Sequence, residues 1–189
     1  MISDRTQAIQ EARQRLSLSP IYLDTETTGT DAFSEIVEIC IIDDDGKVLL
    51  ESLVKPAGRI PLDVIAIHGI TDELVMGAPR WMTVWPAVRS TLAGRHVGIY
   101  NLDFDMRLIQ QTNNKYKVNQ QVSQAANYFC IMRLYAQFFG VRDPYRGNYR
   151  WQSLEAAGGQ CGIPLPNSHR ARDDALLARA VLHYMAESS

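Results

Sequence analysis

Long apolar runs are absent from this 189-residue chain, and cysteine is scarce. No stretch approaches the roughly 20 consecutive apolar residues that a membrane-spanning helix needs. The first residues are polar with a helical rhythm, and they lack the apolar core of a secretory signal peptide. The cysteines Cys40, Cys130 and Cys161 show no metal-binding or redox spacing. We therefore expect reduced thiols, a cytoplasmic location and no membrane partner.

Linker-like segments and internal repeats are also missing, which favours a single domain. Hydrophobic residues make up 46% of the chain and charged residues 21%, and this balance is typical of a globular domain with a sizeable core. The patterns predict three strands first, and then strands that alternate with helices. The predicted fold class is therefore α/β, with a mixed sheet that is antiparallel on one side and parallel on the other.

Local signals predict the individual elements. A helix is expected over residues 3–17 with Ser3 as its N-cap, and a strand over 21–26. The next segment predicts a hairpin with strands at 35–42 and up to about Val54, joined by an Asp-Asp-Gly turn. Further helices are expected after Pro61, after an N-cap at Thr71, and over residues 82–93, 103–111, 153–161 and 171–185. Short strands are expected at 97–100 and near 129, and a loop or loose helix over 113–127.

Positive charge is distributed unevenly, although the net charge is only −2. From Arg107 to Arg172 there are nine basic and two acidic residues, whereas residues 1–100 hold nine basic and fourteen acidic residues. The basic region includes residues 143–151, where tyrosines and a tryptophan alternate with arginines. A track for a phosphate backbone and an ordinary solvated surface with locally packed aromatics both explain this pattern.

Two carboxylates follow the first apolar strand, in the segment IYLDTETTGT. Asp24 and Glu26 are two residues apart, so their side chains point to the same face of the strand. Two anions on one face repel each other and resist burial. The pair therefore raises the question of what it binds.

Two other segments place acids in a similar context. Asp105 lies near the start of a helix that follows a strand ending at Asn101, and ligand sites lie beyond the carboxyl ends of such strands. His169 precedes the last helix, and Asp174 turns towards the core face that contains Leu177. Each signal alone also suits a helix cap or a dipole effect. Together they put four carboxylates at one sheet edge, where oxygen ligands favour Mg²⁺ or Mn²⁺ over zinc.

These segments resemble the three motifs of the DEDDh 3′–5′ exonucleases, the DnaQ-like family that includes the epsilon proofreading subunit of bacterial replicases. D-x-E followed by T-G stands at residues 24–29, N-x-x-F-D at 101–105 and H-x-A-x-x-D at 169–174. An H-G-I-T element stands at 68–71. The resemblance covers about residues 21–184 and implies a ribonuclease H-like fold with a central mixed five-stranded sheet flanked by helices.

The resemblance also implies the domain organisation. Residues 21–186 are expected to form the exonuclease domain, and residues 1–20 an N-terminal helix that is part of the same unit. This helix lies outside the family's motifs. It could make a dimer contact or cap the sheet.

A set of catalytic roles follows from the resemblance. It implies that Asp24, Glu26, Asp105 and Asp174 hold two divalent metal ions, Mg²⁺ or Mn²⁺, and that Asp24 bridges them. His169 is implied as the general base for the attacking water, a role that suits an imidazole near neutral pH. The implied reaction releases nucleoside 5′-monophosphates from the 3′ end of DNA by a two-metal-ion mechanism.

Substrate contacts are implied for Thr27, His68, Asn101 and Phe104. His68 could equally be a turn residue that bonds to the backbone, and Phe104 could be a core residue. We expect single-stranded DNA as substrate. An exoribonuclease acting on RNA or short oligoribonucleotides and a catalytically silent nucleic-acid-binding module both stay open, as does a polymerase or homodimer partner.

Overall fold

The computed structural model describes residues 3–118, 126–145 and 147–189. Its strands are β1 (Ile21–Thr27), β2 (Ile36–Ile42), β3 (Val48–Leu53), β4 (His96–Ile99) and β5 (Asn127–Cys130). They form one sheet in the order β3-β2-β1-β4-β5. The pairs β1–β2 and β2–β3 are antiparallel, whereas β1–β4 and β4–β5 are parallel. The predicted α/β class and mixed five-stranded sheet are therefore confirmed.

The described residues form eight helices. They are α1 (Asp4–Leu16), α2 (Leu62–His68), α3 (Asp72–Val75), α4 (Trp81–Leu92), α5 (Leu102–Lys115), α6 (Ile131–Phe139), α7 (Leu154–Gln160) and α8 (Ala171–Glu187). Both predicted N-caps are present, because the Ser3 and Thr71 hydroxyls accept backbone N–H groups of α1 and α3. No helix among the described residues is long and apolar enough to cross a membrane. All three cysteines are free thiols.

The predicted end of α5 was wrong. The helix continues from residue 111 to Lys115, because Thr112 and Asn113 are buried and Trp81 donates its indole N–H to Asn113 at 2.7 Å. The segment 113–127, predicted as a loop or loose helix, is therefore helical up to Lys115, and its last residue, Asn127, begins β5. Residues 119–125 lie outside the described part.

Each face of the sheet is covered by its own set of helices. Tyr22 packs into the core that α1, α6 and α8 form on one face, whereas Ile21 and Leu23 pack into the core of α4 and α5 on the other. The alternation along β1 directs Asp24 and Glu26 to the face of α8. The fold therefore aims the first motif at the helix that carries the third.

The N-terminal helix packs on α6 and α8. Ile9 and Ala12 are buried in the core on that face. Arg13 donates to the Ala186 carbonyl at 2.7 Å, and Arg5 donates to the Phe138 carbonyl at 3.0 Å. The helix α1 thus contacts the core on this face of the sheet, and the assignment of residues 1–20 to one unit with the rest of the chain stays a prediction.

Candidate active site

Three carboxylates meet where the end of β1 approaches the start of α8. One side-chain oxygen from each of Asp24, Glu26 and Asp174 lies within 4.8 Å of the other two. Asp174 is 6% exposed, and among the described residues no group donates a hydrogen bond to its Oδ1. A buried oxygen without a donor calls for another partner. Three converging carboxylates with one such oxygen fit a hard divalent cation.

The fourth predicted ligand, Asp105, lies beside this group of three and not within it. Asp105 is buried on α5, and its Oδ1 accepts the Thr25 hydroxyl at 2.7 Å. Thr25 points to the opposite face of β1 from Asp24 and Glu26. Even so, Asp105 contributes more than any other charge to the raised pKa of Asp24. The fold thus brings four carboxylates to one sheet edge and three of them into a tight group.

Burial raises the pKa of all four carboxyl groups, and repulsion by neighbouring carboxylates raises it further at Asp24 and Glu26. Burial is the main cause at Asp24, followed by the charges of Asp105 and Glu26. Burial and then Asp174 raise the pKa of Glu26 to about 8. Burial raises the pKa of Asp105 to about 7 against the opposing Thr25 hydrogen bond, and that of Asp174 to about 6 against the charge of His169. A bound cation would favour the ionised forms of these groups.

His169 is the exposed member of the site. It lies just before α8 with a φ of 51°, in the left-handed region that a residue with a side chain seldom adopts. Strained backbone of this kind persists where the surrounding structure holds it, and it concentrates at functional sites. A positive charge on its ring lowers the pKa of Asp174, which indicates that the ring lies in the neighbourhood of that carboxylate.

A buried glutamate holds the chain that follows His169. Glu38 on β2 is opposite Glu26 in the strand register and is 3% exposed. Its carboxylate accepts from Arg170 Nε and Nη2, and from the Ala171 N–H at 2.9 Å. Sequence reasoning missed this contact. The available signal was a single acid inside the apolar strand IVEICII.

Two predicted substrate contacts, Thr27 and His68, bond to each other. His68 is 4% exposed, and its Nδ1 accepts the Ile70 N–H at 2.9 Å. Its Nε2 therefore carries the proton and donates to the Thr27 carbonyl at 3.2 Å. The Thr27 hydroxyl donates to the Gly29 carbonyl at 2.7 Å. This is the backbone-bonding alternative for His68, and its contact with substrate stays a prediction.

The other two predicted contacts start α5. The Asn101 carbonyl accepts the N–H groups of Phe104 at 3.0 Å and of Asp105 at 3.3 Å. Phe104 is half-buried against the core of α4 and α5, and the Arg107 guanidinium lies 5.3 Å from its ring centroid. Phe104 therefore has both a core contact and an accessible edge.

The aromatic and basic segment at 143–151 packs partly against α1. Tyr149 and Arg142, which directly precedes the segment, both bond to the Asp4 carboxylate, so Tyr149 has a structural contact with α1. Tyr145 is 95% exposed and Trp151 47% exposed. Residue 146 lies outside the described part. A role in guiding substrate stays a prediction for the exposed aromatic pair.

The fold and the carboxylate group are together typical of enzymes that bind divalent cations at an acidic site. Phosphatases, polymerases and nucleases use such acidic sites to bind divalent cations next to the bond that they make or break.

Comparison with known proteins identifies the family. A family model described as an exonuclease (RNase_T) matches residues 21–182, and the chain belongs to this exonuclease family. The uncharacterized exonuclease CP81 of Escherichia phage 186 is 39% identical over 185 residues, which cover 94% of this chain and 93% of that protein. The epsilon subunit of DNA polymerase III from Treponema pallidum is 29% identical over 156 residues, covering 80% of this chain and 69% of that subunit.

Solved structures share the fold. E. coli Exonuclease I in complex with a dA16 oligonucleotide aligns with a TM-score of 0.71 at 17% identity, covering 86% of this chain and 39% of that one. The chain therefore spans less than half of Exonuclease I. The predicted membership of the DnaQ-like exonucleases and the ribonuclease H-like fold are confirmed.

Proposed function

We propose that the chain is a metal-dependent 3′–5′ exonuclease of the DEDDh type, which releases nucleoside 5′-monophosphates from single-stranded DNA. The convergence of Asp24, Glu26 and Asp174 within 4.8 Å, with Asp105 beside them, is the observation that carries the proposal. The phage exonuclease and the polymerase III epsilon subunit support the reaction class. The oligonucleotide in the Exonuclease I complex supports a single-stranded DNA substrate.

The four carboxylates, Asp24, Glu26, Asp105 and Asp174, would hold two ions of Mg²⁺ or Mn²⁺. When bound, these cations would neutralise the carboxylates, lower the pKa of the attacking water and stabilise charge on the leaving 3′ oxygen. Thr25 orients Asp105 through its hydroxyl. The raised pKa values of the carboxyl groups and the unpartnered Asp174 oxygen support the fit of such cations to this set of donors.

His169 would accept the proton of the attacking water. An imidazole exchanges protons near neutral pH, which a carboxylate paired with a cation does less readily. His169 is exposed to solvent, and a charge on its ring acts on Asp174. Glu38 fixes the backbone just beyond it through Arg170 and Ala171.

The proposal includes a cytoplasmic enzyme without a membrane partner. A polymerase or a second copy of the chain is a further candidate partner. Co-purification with a polymerase, or a dimer in light scattering, would support the corresponding assembly.

A degradation assay tests the proposed reaction. The substrates are DNA and RNA strands of one sequence, labelled at the 5′ end, with Mg²⁺ or Mn²⁺, and the controls are EDTA and Asp24→Ala. We expect a ladder that shortens from the 3′ end, is faster on DNA and is lost in both controls. Faster shortening of RNA would indicate an exoribonuclease. No shortening of either strand with metal bound would indicate a silent binding module.

A further inference from the structure

A groove of about 570 Å³ lies between the β1–β2 loop and the outer face of α5. The residues that line it, called here the Phe33 groove, include Phe33, Arg107, Gln110, Gln111, Asn114 and Lys115. It combines an aromatic ring, two cations and amide side chains, and it contains no acid. No role in the predicted chemistry accounts for these residues.

The Phe33 ring is presented on a braced loop. The ring is 83% exposed, although its backbone N–H is bonded to Asp31 Oδ1 at 2.7 Å. Gln111 donates to the carbonyls of Asp31 at 3.0 Å and Ser34, and Arg107 donates to the Thr30 carbonyl at 3.3 Å. A large ring held in water by a fixed loop is available for a base to stack on without further ordering of the chain.

The charge of the groove suits a polyanion. Lys115 forms an ion pair with the buried Glu35 at 2.7 Å, so much of its charge is compensated. Arg107 has no ion pair within the described part of the chain. Its guanidinium and the amide group of Gln110 are donors of the kind that contact phosphate oxygens.

The groove adjoins the active site through two elements. Arg107 follows Asp105 by two residues, so its Cα lies only about 3 Å further along the axis of α5, but its side chain leaves the helix on the face opposite to the buried Asp105. The link to the site is the Thr30 carbonyl, just after the first motif, which accepts from Arg107 at 3.3 Å. The Arg107 guanidinium also lies 5.3 Å from the ring centroid of Phe104, a predicted substrate contact. Phe33 follows Glu26 by seven residues, and the chain can therefore span at most about 25 Å between them. A strand whose 3′ end is in the site can reach the groove.

We propose that the Phe33 groove binds the single-stranded nucleic acid a few nucleotides 5′ of the scissile end, with a base stacked on Phe33 and a phosphate held by Arg107. This inference rests on the proposed function, because it assigns the path of the same substrate. It makes substrate length a determinant of affinity.

The test uses the full chain with Phe33→Ala and with Arg107→Ala. The substrates are a dinucleotide and a DNA strand of about 15 nucleotides, since single-strand sites span about 4–16 nucleotides. Phe33→Ala should lower kcat/KM on the long strand by about tenfold, as expected for one stacked base. Arg107→Ala removes a phosphate contact and should also lower it. The loss on the dinucleotide should be at most about twofold, because a dinucleotide spans less than about 10 Å at stacked spacing.

Equilibrium binding of the labelled long strand in EDTA separates this proposal from the proposed reaction. Arg107→Ala should reduce the slope of log affinity against log salt by about 0.7, the value for one lost phosphate contact on a single strand. Phe33→Ala should weaken binding without changing the slope. The control variants are Arg95→Ala and Leu18→Ala. Both residues are exposed, and they lie just before β4 and β1, at the ends of these strands that are remote from the site.

The outcomes are distinct. Equal losses of kcat/KM or affinity in the groove variants and the controls would overturn the proposal that the groove binds the strand. Unchanged binding of the long strand by the groove variants would do the same. If the wild type cleaves no strand but the groove variants bind the strand less tightly, the groove stands and the exonuclease proposal fails.

Discussion

Glu38 connects the carboxylate group to the segment that carries His169, the proposed general base. It pairs across the sheet with Glu26, and it accepts hydrogen bonds from Arg170 and Ala171 at the start of α8. The backbone of His169 is strained, and strained backbone needs neighbours that hold it. We therefore assign Glu38 a positioning role.

Replacing Glu38 should lower turnover more than substrate affinity. Glu38→Ala should reduce kcat by about 10–100-fold, the usual cost of losing a partner that orients a site residue. Glu38→Gln keeps an acceptor for the Ala171 N–H and should recover part of the loss. Steady-state kinetics of both variants measure this, with the exposed Glu51→Gln on β3 as control. A rise in KM alone, with kcat intact, would speak against positioning.

Removing the imidazole tests the general base. His169→Ala should lower kcat by about 10²–10⁴-fold, the usual contribution of a positioned acid or base. Mn²⁺ affinity should change little, because His169 is not among the proposed ligands. The matched control is His183→Ala on α8, where the ring bonds to Asp44 at 2.8 Å. Equal losses in the two variants would remove the special role of His169.

At the scale of elements, the sequence was most informative where periodicity is strong. The two-residue period of β1 placed Asp24 and Glu26 on one face, and the helical period of α8 turned Asp174 inward. The ion pair between Glu38 and Arg170 joins residues 132 positions apart, so only tertiary packing reveals it. The end of α5 was missed because its last buried residues, Thr112 and Asn113, are polar and give no apolar signal.

The helix α1 should unfold together with the rest of the chain. Ile9 is buried in the core against α6 and α8, so Ile9→Ala should lower the free energy of unfolding by about 2–5 kcal/mol. Urea denaturation followed by circular dichroism and by tryptophan fluorescence should show one shared transition. The exposed Gln10→Ala is the control. Two separate transitions, or an unchanged midpoint, would make α1 an independent appendage.

At the scale of the whole molecule, the acidic site opposes stability. The pKa of Glu26 is raised from 4.5 to about 8, mainly by burial, so the folded protein binds more protons than the unfolded chain in that interval. The contribution of this group to stability is full below pH 4.5 and is lost as the pH rises towards 8. The raised pKa values of Asp105 and Asp174 act in the same direction.

The metal-free protein should therefore become less stable between about pH 5 and 8, which thermal denaturation in EDTA measures. Glu26→Gln should flatten this dependence and raise the Tm at pH 8. Mn²⁺ at about 100 times its Kd should stabilise the wild type by about 2.7 kcal/mol. Two results would be inconsistent with a cluster of repelling carboxylates. One is a Tm of the metal-free protein that rises from pH 5 to 8, and the other is a Tm that Mn²⁺ does not change.

The central claim is that the carboxylates at this sheet edge, and not acidity in general, make the chain a metal-dependent nuclease. Paired substitutions of neighbouring acids test it most directly: Asp105→Asn against the exposed, Arg133-paired Asp103→Asn, and Asp174→Asn against Asp173→Asn. The measurement is the rate of terminal-nucleotide release from single-stranded DNA in Mn²⁺. The first variant of each pair should release nucleotides more than about 100-fold more slowly than the wild type, because losing even a group that only orients metal ligands slows activity by about 10–100-fold. The second variant of each pair should have a rate near that of the wild type. Equal rates within each pair would contradict the claim.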